Sequence, residues 1–382
     1  MISGAESRKL KADSLIIKMR VYVAATRQND GKTVISLGLI SVLSKLVETI
    51  GYMKPVGQQY KTVNGKMIDK DAVLMKKIFN FGSNLSHMSP IAIPPGFTED
   101  YIMRGNRSVL VNKIKRAYRN LSKSNDFILI EGTGHAGVGS VFDMSNSDVA
   151  SMLGAKVIIV TCGGIGRPID EIMLNHAKFD AEGVEVLGVI VNKVRKQKYN
   201  KINRLIRKGL ARKNIEVLGV VPFEEVLSNP TVSELLEDLK GNLICGEKGL
   251  NNIVERFIIG DVVAHEALAH VAGGTLLITP GNREDVIFSA LSGWVLGITE
   301  KYHISGIIAT YGKSPPKKVI DVIDRANVPL IIVKEDSFST ACEINKMIFK
   351  LRSEDKAKIK KVEALVEKYV DVDRIFNMLK PR

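Results

Sequence analysis

A short apolar run, Val21 to Ala25, leads into Thr26-Arg27-Gln28-Asn29-Asp30-Gly31-Lys32-Thr33, and Val34-Ile35-Ser36-Leu37-Gly38-Leu39-Ile40 then reads as a helix. A strand, a tight loop ending in Gly-Lys-Thr, and a helix together form a grip for a nucleoside triphosphate. Backbone N–H groups of the loop and of the helix N-terminus point at phosphate oxygens. The lysine reaches the β- and γ-phosphates, and the threonine hydroxyl can sit on Mg²⁺. Gly31 lets the backbone come close because it has no Cβ. Asn29, Asp30, Gly31, Lys32, Thr33 and Val34 are therefore the expected nucleotide-holding residues. The usual loop opens with Gly, whereas Thr26 stands at that spacing here, preceded by Ala25.

At 382 residues, two domains are expected. No apolar run approaches the ~18 residues of a spanning helix. Leu15-Ile16-Ile17 is too short for the apolar region of a signal peptide. Residues 1–18 read as a disordered extension or an upstream start. Cys162, Cys245 and Cys342 are far apart and fit no metal or disulfide pattern, which points to a reducing cytoplasm.

The net charge of +14 is uneven. Residues 241–382 carry 20 Lys and Arg against 18 Asp and Glu, so +12 of it lies in residues 1–240. Much of the surplus falls in Arg104–Lys123 and Lys193–Lys213. In the latter, Ile202, Leu205, Ile206 and Leu210 form one apolar stripe, and the basic residues are the other face of a helix. No aromatic residues interleave with them as a single-strand binder requires, so a nucleic-acid partner is not expected.

The first 225 residues alternate short β-rich runs with longer amphipathic ones. Expected strands are Arg20–Ala25, Tyr52–Pro55, Phe127–Glu131, Lys156–Thr161, Leu187–Asn192 and Val217–Pro222. Expected helices start at Thr33, near Glu99 with Thr98 as N-cap, after Asn146, and at Pro168. This is an α/β pattern, with a parallel sheet covered on both faces. Ligands of such sheets sit at the carboxyl ends of strands. Beyond the turn-rich joint Leu227–Val232, a second α/β unit is expected. Its strands are Thr275–Thr279, Ile304–Ala309 and Leu330–Val333, and its helices are Glu284–Leu296, Pro316–Ala326 and Ser339–Leu351. Ser353–Lys380 reads as a charged amphipathic helix or pair.

Several residues near the strand ends carry chemistry. Lys54 follows the second strand and can stabilise a phosphate or an acidic substrate, or it is a surface lysine. Asp71 can coordinate Mg²⁺, which prefers oxygen ligands, or it is a helix N-terminal carboxylate. Glu131 ends an apolar strand and opens Gly132-Thr133-Gly134-His135-Ala136-Gly137-Val138-Gly139-Ser140. A second Mg²⁺ ligand belongs at such a strand tip, and the glycines allow a phosphate or substrate to approach. Asn192 ends the fifth strand and offers a donor and an acceptor to an adenine edge. His265 and His270 are five apart, which turns them roughly 140° from each other on a helix. A zinc-protease pair needs a spacing of four, so they read as ordinary histidines.

Gly31-Lys32-Thr33, Lys54-Pro55-Val56, Asp71-Ala72 and Glu131-Gly132, in this order, resemble the dethiobiotin synthetase and cobyrinic acid a,c-diamide synthase superfamily. The run Glu131 to Leu153 looks closest to the synthetase-like domain at the N-terminus of some phosphotransacetylases. Gly273–Val286, with its Gly-Asn-Arg-Glu-Asp turn, and Leu330–Asp336 resemble a DRTGG domain. The fold implied is a P-loop NTPase parallel sheet with helices on both faces, plus a smaller α/β DRTGG-like domain and a C-terminal helix. The domains implied are an N-terminal extension (1–18), a nucleotide-binding domain (19–235), a regulatory domain (240–350) and a C-terminal helical segment (351–382).

The resemblance assigns Lys32, Lys54 and Glu131 to catalysis and Thr33, Asp71 and Glu131 to Mg²⁺, with ATP as nucleotide. It implies a homodimer. Lys54 matches the lysine that stabilises a substrate carbamate in dethiobiotin synthetase. Arg27 and Gln28 stand where that enzyme has Asp and Thr, which argues against dethiobiotin synthesis. Three functions stay open: an ATPase with a ligand-sensing second domain, an ATP-dependent ligase, and a regulatory subunit that binds nucleotide without turnover.

Overall fold

The computed structural model describes residues 19–261, 263–295, 304–347 and 351–380. The expectation for residues 1–18 lies outside them. The described residues form two compact units, one from residues 19–223 with 351–380, the other from residues 224–347.

The first unit is built on six strands: β1 (Met19–Ala25), β2 (Ile50–Met53), β3 (Phe127–Glu131), β4 (Lys156–Cys162), β5 (Val186–Val194) and β6 (Val217–Pro222). Their order is β6-β5-β4-β1-β3-β2, with every pairing parallel. Phe127-Ile128-Leu129-Ile130 and Val157-Ile158-Ile159-Val160 are buried along their whole length, as a sheet covered on both faces requires. The register sets the site. Val23 pairs with Glu131, Ala25 with Val160, and Cys162 with Asn192, so the loops after these strands open at one edge. After β3, on one side of β1, the chain crosses to β4 on the other. Such a reversal opens a crevice at the carboxyl ends.

Several local details differ from the sequence expectations. The helix near Glu99 spans Phe97–Arg104, and its N-cap is Gly96 at φ 83° rather than Thr98. A left-handed residue at that corner suits glycine. β2 ends at Met53, before Lys54. Val56–Gly57 instead pairs with Ile91–Ala92 in a separate small sheet. In helix Tyr199–Ala211, Ile202, Ile206 and Leu210 are buried, and the basic residues take the other faces.

The C-terminal stretch is a helix pair, Lys356–Tyr369 and Val372–Leu379, folded onto the first unit. Gly38, on helix Lys32–Leu43, lies under it: a Cβ there would sit 2.2 Å from Val366 Cγ2. Asp371 N donates to Leu218 O at 2.8 Å, and Val370 bridges Gly219 on β6. The stretch is thus part of the first unit's core.

The second unit holds β7 (Asn242–Cys245), β8 (Arg256–Ile259), β9 (Thr275–Pro280), β10 (Ile304–Thr310) and β11 (Leu330–Ile332). Their order is β7-β11-β10-β9-β8, parallel except for β7. Val286, Ile287 and Ile323 cover one face over Leu277 and Ile307. Val232, Leu235 and Ile344 cover the other over Ile278 and Ile308. The compact unit begins at residue 224. Thr231 caps helix Val232–Asp238 through a capping box with Glu234. The edge strands β7 and β8 have no full apolar signature, since neither strand has a buried residue.

Candidate nucleotide site

The phosphate loop is shaped by its own side chains. Asp30 Oδ2 accepts from Thr26 Oγ1 at 2.7 Å and from Arg27 N at 2.8 Å, closing the first turn. Thr26 and Thr161 hydroxyls lie 2.9 Å apart, which ties that turn to β4. Asn29 and Gly31 take left-handed conformations, φ 67° and 96°. Asn192 Nδ2 donates to Asp30 O at 3.0 Å and Lys193 Nζ to Asn29 O at 2.8 Å. A Cβ on Gly31 would stand 2.2 Å from Asn192 Nδ2, so glycine is required there twice over. Gly31 is also the N-cap of helix Lys32–Leu43 and supplies no side-chain acceptor to its first turn. Val34 lies in that first turn.

Lys32 is 7 % exposed. Burial, and then the neighbouring Lys54 ammonium, push its pKa down to about 8, against the pull of Glu131, Asp30 and Asp71.

Below it lies a buried charge cluster. Lys54 Nζ donates to Glu131 Oε1 at 2.8 Å, Asp71 Oδ2 at 2.9 Å and Gly132 O at 3.2 Å. Glu131 is fully buried. Its Oε1 also accepts from Thr33 Oγ1 at 3.0 Å, and its Oε2 from Tyr52 OH at 3.0 Å. Burial alone would lower the Lys54 pKa; Asp71 and Glu131 more than offset it and hold the ammonium above the usual lysine value. Burial pushes Asp69 up to about 6, with Lys54 opposing and Asp71 adding. The structure therefore brings Lys32, Thr33, Lys54, Asp71 and Glu131 together at the strand tips. Asn192 stands beneath the loop, with its amide engaged by the loop backbone.

The donors Thr33, Asp71 and Glu131 are hard oxygens of the kind Mg²⁺ takes, one or two carboxylates alongside substrate phosphates and water. Among the described residues no group of three or more His, Cys, Asp or Glu is arranged to hold a metal by itself. The donor set fits a cation bound together with nucleotide. Lys54 satisfies both carboxylates in this structure.

Sequence reasoning passed over several supporting residues. Asp69 accepts from Asp71 N at 2.8 Å as N-cap of helix Lys70–Phe79, and a Cβ on Gly57 would stand 2.4 Å from its Oδ2. The Asp before a helical run was the available signal. Asn146 fastens the glycine-rich loop. Its Oδ1 accepts from Tyr22 OH at 2.7 Å and Thr133 N at 3.1 Å, and its Nδ2 donates to Thr133 O at 2.8 Å and His135 O at 2.6 Å. Asn175 Oδ1 accepts from Ala136 N at 2.7 Å. Nothing local in the sequence marks Asn175 or Tyr52. His265 and His270 lie on the short helix Ala264–His270 of the second unit.

Among known proteins, residues 19–231 match the family profile described as an AAA domain, and residues 234–347 match the DRTGG domain. The phosphate acetyltransferase of Nitratidesulfovibrio vulgaris is 26% identical over 368 residues, covering 94% of this chain and 51% of that protein. The phosphate acetyltransferase of a Synechocystis species is 25% identical over 376 residues, covering 94% and 52%. The ATP-dependent dethiobiotin synthetase BioD of Methanocaldococcus jannaschii is 28% identical over 214 residues, covering 54% of this chain and 94% of that enzyme. The chain spans about half the length of the phosphate acetyltransferases it matches.

Proposed function

From a chain that belongs to the AAA domain family and continues into a DRTGG domain, we propose that the first unit binds Mg-ATP and hydrolyses it, and that the second senses a small ligand. One observation carries this reading. Thr33, at the end of the phosphate loop, reaches Glu131 at 3.0 Å, and the same carboxylate oxygen takes Lys54 at 2.8 Å. Phosphate loop, acidic strand tip and buried lysine form one continuous network. Lys32 clamps the phosphates, while Thr33, Asp71 and Glu131 would hold Mg²⁺, which would neutralise charge on the phosphates. Catalysis is then positioning and electrostatics. The protein acts in the cytoplasm as a homodimer; the unpaired Cys162, Cys245 and Cys342 support the compartment.

Two other readings have an observation each. Lys54, already paired with two carboxylates, suits a ligase that meets a carboxylated or carbamated substrate, and the likeness to BioD favours it. A regulatory subunit that binds nucleotide without turnover is favoured by the DRTGG domain that follows the phosphate-loop domain. Titration calorimetry of Mg-ATP, with phosphate release followed in the same samples, tests all three. Binding by the unsubstituted protein and its loss in Lys32→Ala upholds the nucleotide site. Phosphate release then favours the ATPase, and its absence favours the ligase or the regulator. No binding by the unsubstituted protein rejects the site.

A further inference from the structure

Arg27 belongs to the phosphate loop, yet its side chain is turned to a helix. Its Nε lies 2.9 Å from Glu171 Oε2 on helix Gly166–Ala181. Both atoms are buried, and neither makes an aligned hydrogen bond. The other oxygen of Glu171 accepts a 2.7 Å hydrogen bond from Arg167 Nε. One carboxylate is thus shared by two guanidinium groups. The better-aligned bond goes to Arg167, whose side chain is 69% exposed, and the poorer one to Arg27, at 39%. Meanwhile Arg27 N is fixed on Asp30 Oδ2, so the backbone that carries the guanidinium is anchored in the loop.

The geometry points to Arg27 as a cation for the terminal phosphate of the nucleotide, held back by Glu171 until that phosphate arrives. This rests on the nucleotide reading of the first unit. Lys32 and the helix N-terminus serve one end of the loop, and Arg27 stands at the other. A planar guanidinium matches phosphate oxygens in a bidentate way that it does not achieve with Glu171 here. When Arg27 leaves, Glu171 keeps Arg167 and is not stranded as an unpaired carboxylate. The side chains of the pair are 39% and 18% exposed, so the exchange carries little desolvation cost. Arg27 then distinguishes ATP from ADP, and Glu171 sets how readily it does so.

Calorimetric titration of Mg-ATP and of Mg-ADP into the full chain tests this with Arg27→Gln, Arg27→Lys and Glu171→Gln. Arg27→Gln is expected to weaken ATP about tenfold while changing ADP by less than about twofold. Arg27→Lys keeps the charge without the fork and falls between. Glu171→Gln, close to isosteric, frees Arg27 and tightens ATP severalfold with ADP unchanged. A purely structural tie would move both nucleotides together, and equal shifts, or none, overturn the inference. Thermal melts check that each variant folds, and Glu171→Gln decides the matter if Arg27→Gln does not. ATP bound alike by all the variants sinks this inference alone. No binding of either nucleotide to the unsubstituted protein sinks the nucleotide reading and this inference with it.

Discussion

The two units share an architecture and differ at their strand tips. In the first, the sheet order reverses around β1, and Asp30, Lys32, Lys54, Asp69, Asp71 and Glu131 are buried close to that reversal. In the second, β8 to β11 lie side by side in chain order. Its tips carry Thr279, which donates to Gly260 O at 3.0 Å, and Thr310 and Ser337, whose hydroxyls lie 2.9 Å apart. Among its described residues the buried charged side chain is Glu234, used in a helix cap. A parallel sheet therefore does not by itself concentrate charge. Where the topology opens a crevice, buried carboxylates and lysines are held against each other; where it does not, hydroxyls close the ends.

The sharpest way to break this contrast is Lys54→Met. It leaves Glu131 and Asp71 buried without their cation, and we expect roughly 3–5 kcal/mol of lost stability in urea unfolding of the full chain. A loss under about 1 kcal/mol would mean that the cluster is wetter than its burial implies. Next comes Gly38→Leu, which drives a side chain into Val366 and should cost about 1–3 kcal/mol by overpacking. No change in the melt would show that the C-terminal helices are not docked in solution.

A pH series separates function from stability at Lys32. Its folded pKa, about 8, lies below the ordinary 10.5. The unfolded chain therefore binds more protons between these values, and this group's contribution to stability rises with pH across that window. On the proposed reading ATP meets the Lys32 ammonium, so affinity should fall there, by up to about tenfold per pH unit. Lys32→Arg should flatten the affinity profile; an unchanged slope would assign the titration elsewhere. The smallest effect is expected in the second unit: Thr231→Ala removes a capping box, worth about 1 kcal/mol in the melt.

Much of this was legible in the chain. All six strands of the first sheet were readable, because buried parallel strands are short apolar runs set between amphipathic ones. So were Lys32, Thr33 and Glu131, because a phosphate loop and an acidic strand tip are local patterns. Read residue by residue, Lys54 could equally be a surface lysine and Asp71 a helix N-terminal carboxylate, and only the family resemblance gives them roles. Their pairing depends on Lys54 leaving the sheet after Met53 and on Asp69 capping the next helix, both properties of neighbouring segments. β7 and β8 escaped because partly exposed edge strands lack a continuous apolar signal.

Sequence alone determined most of the local alphabet of this protein: where the buried strands and most helices run, and where a phosphate-loop pattern stands. Periodicity and glycine placement act over a few residues, and that is enough for both. Tertiary structure decided the rest. Sheet order brought Asn192 and Lys193 under a loop some 160 residues earlier in the chain. It seated the last helices on Gly38, and it placed Glu171 against Arg27. These contacts join segments with no periodic relation to each other, so they exist only once the sheet has set which strands are neighbours.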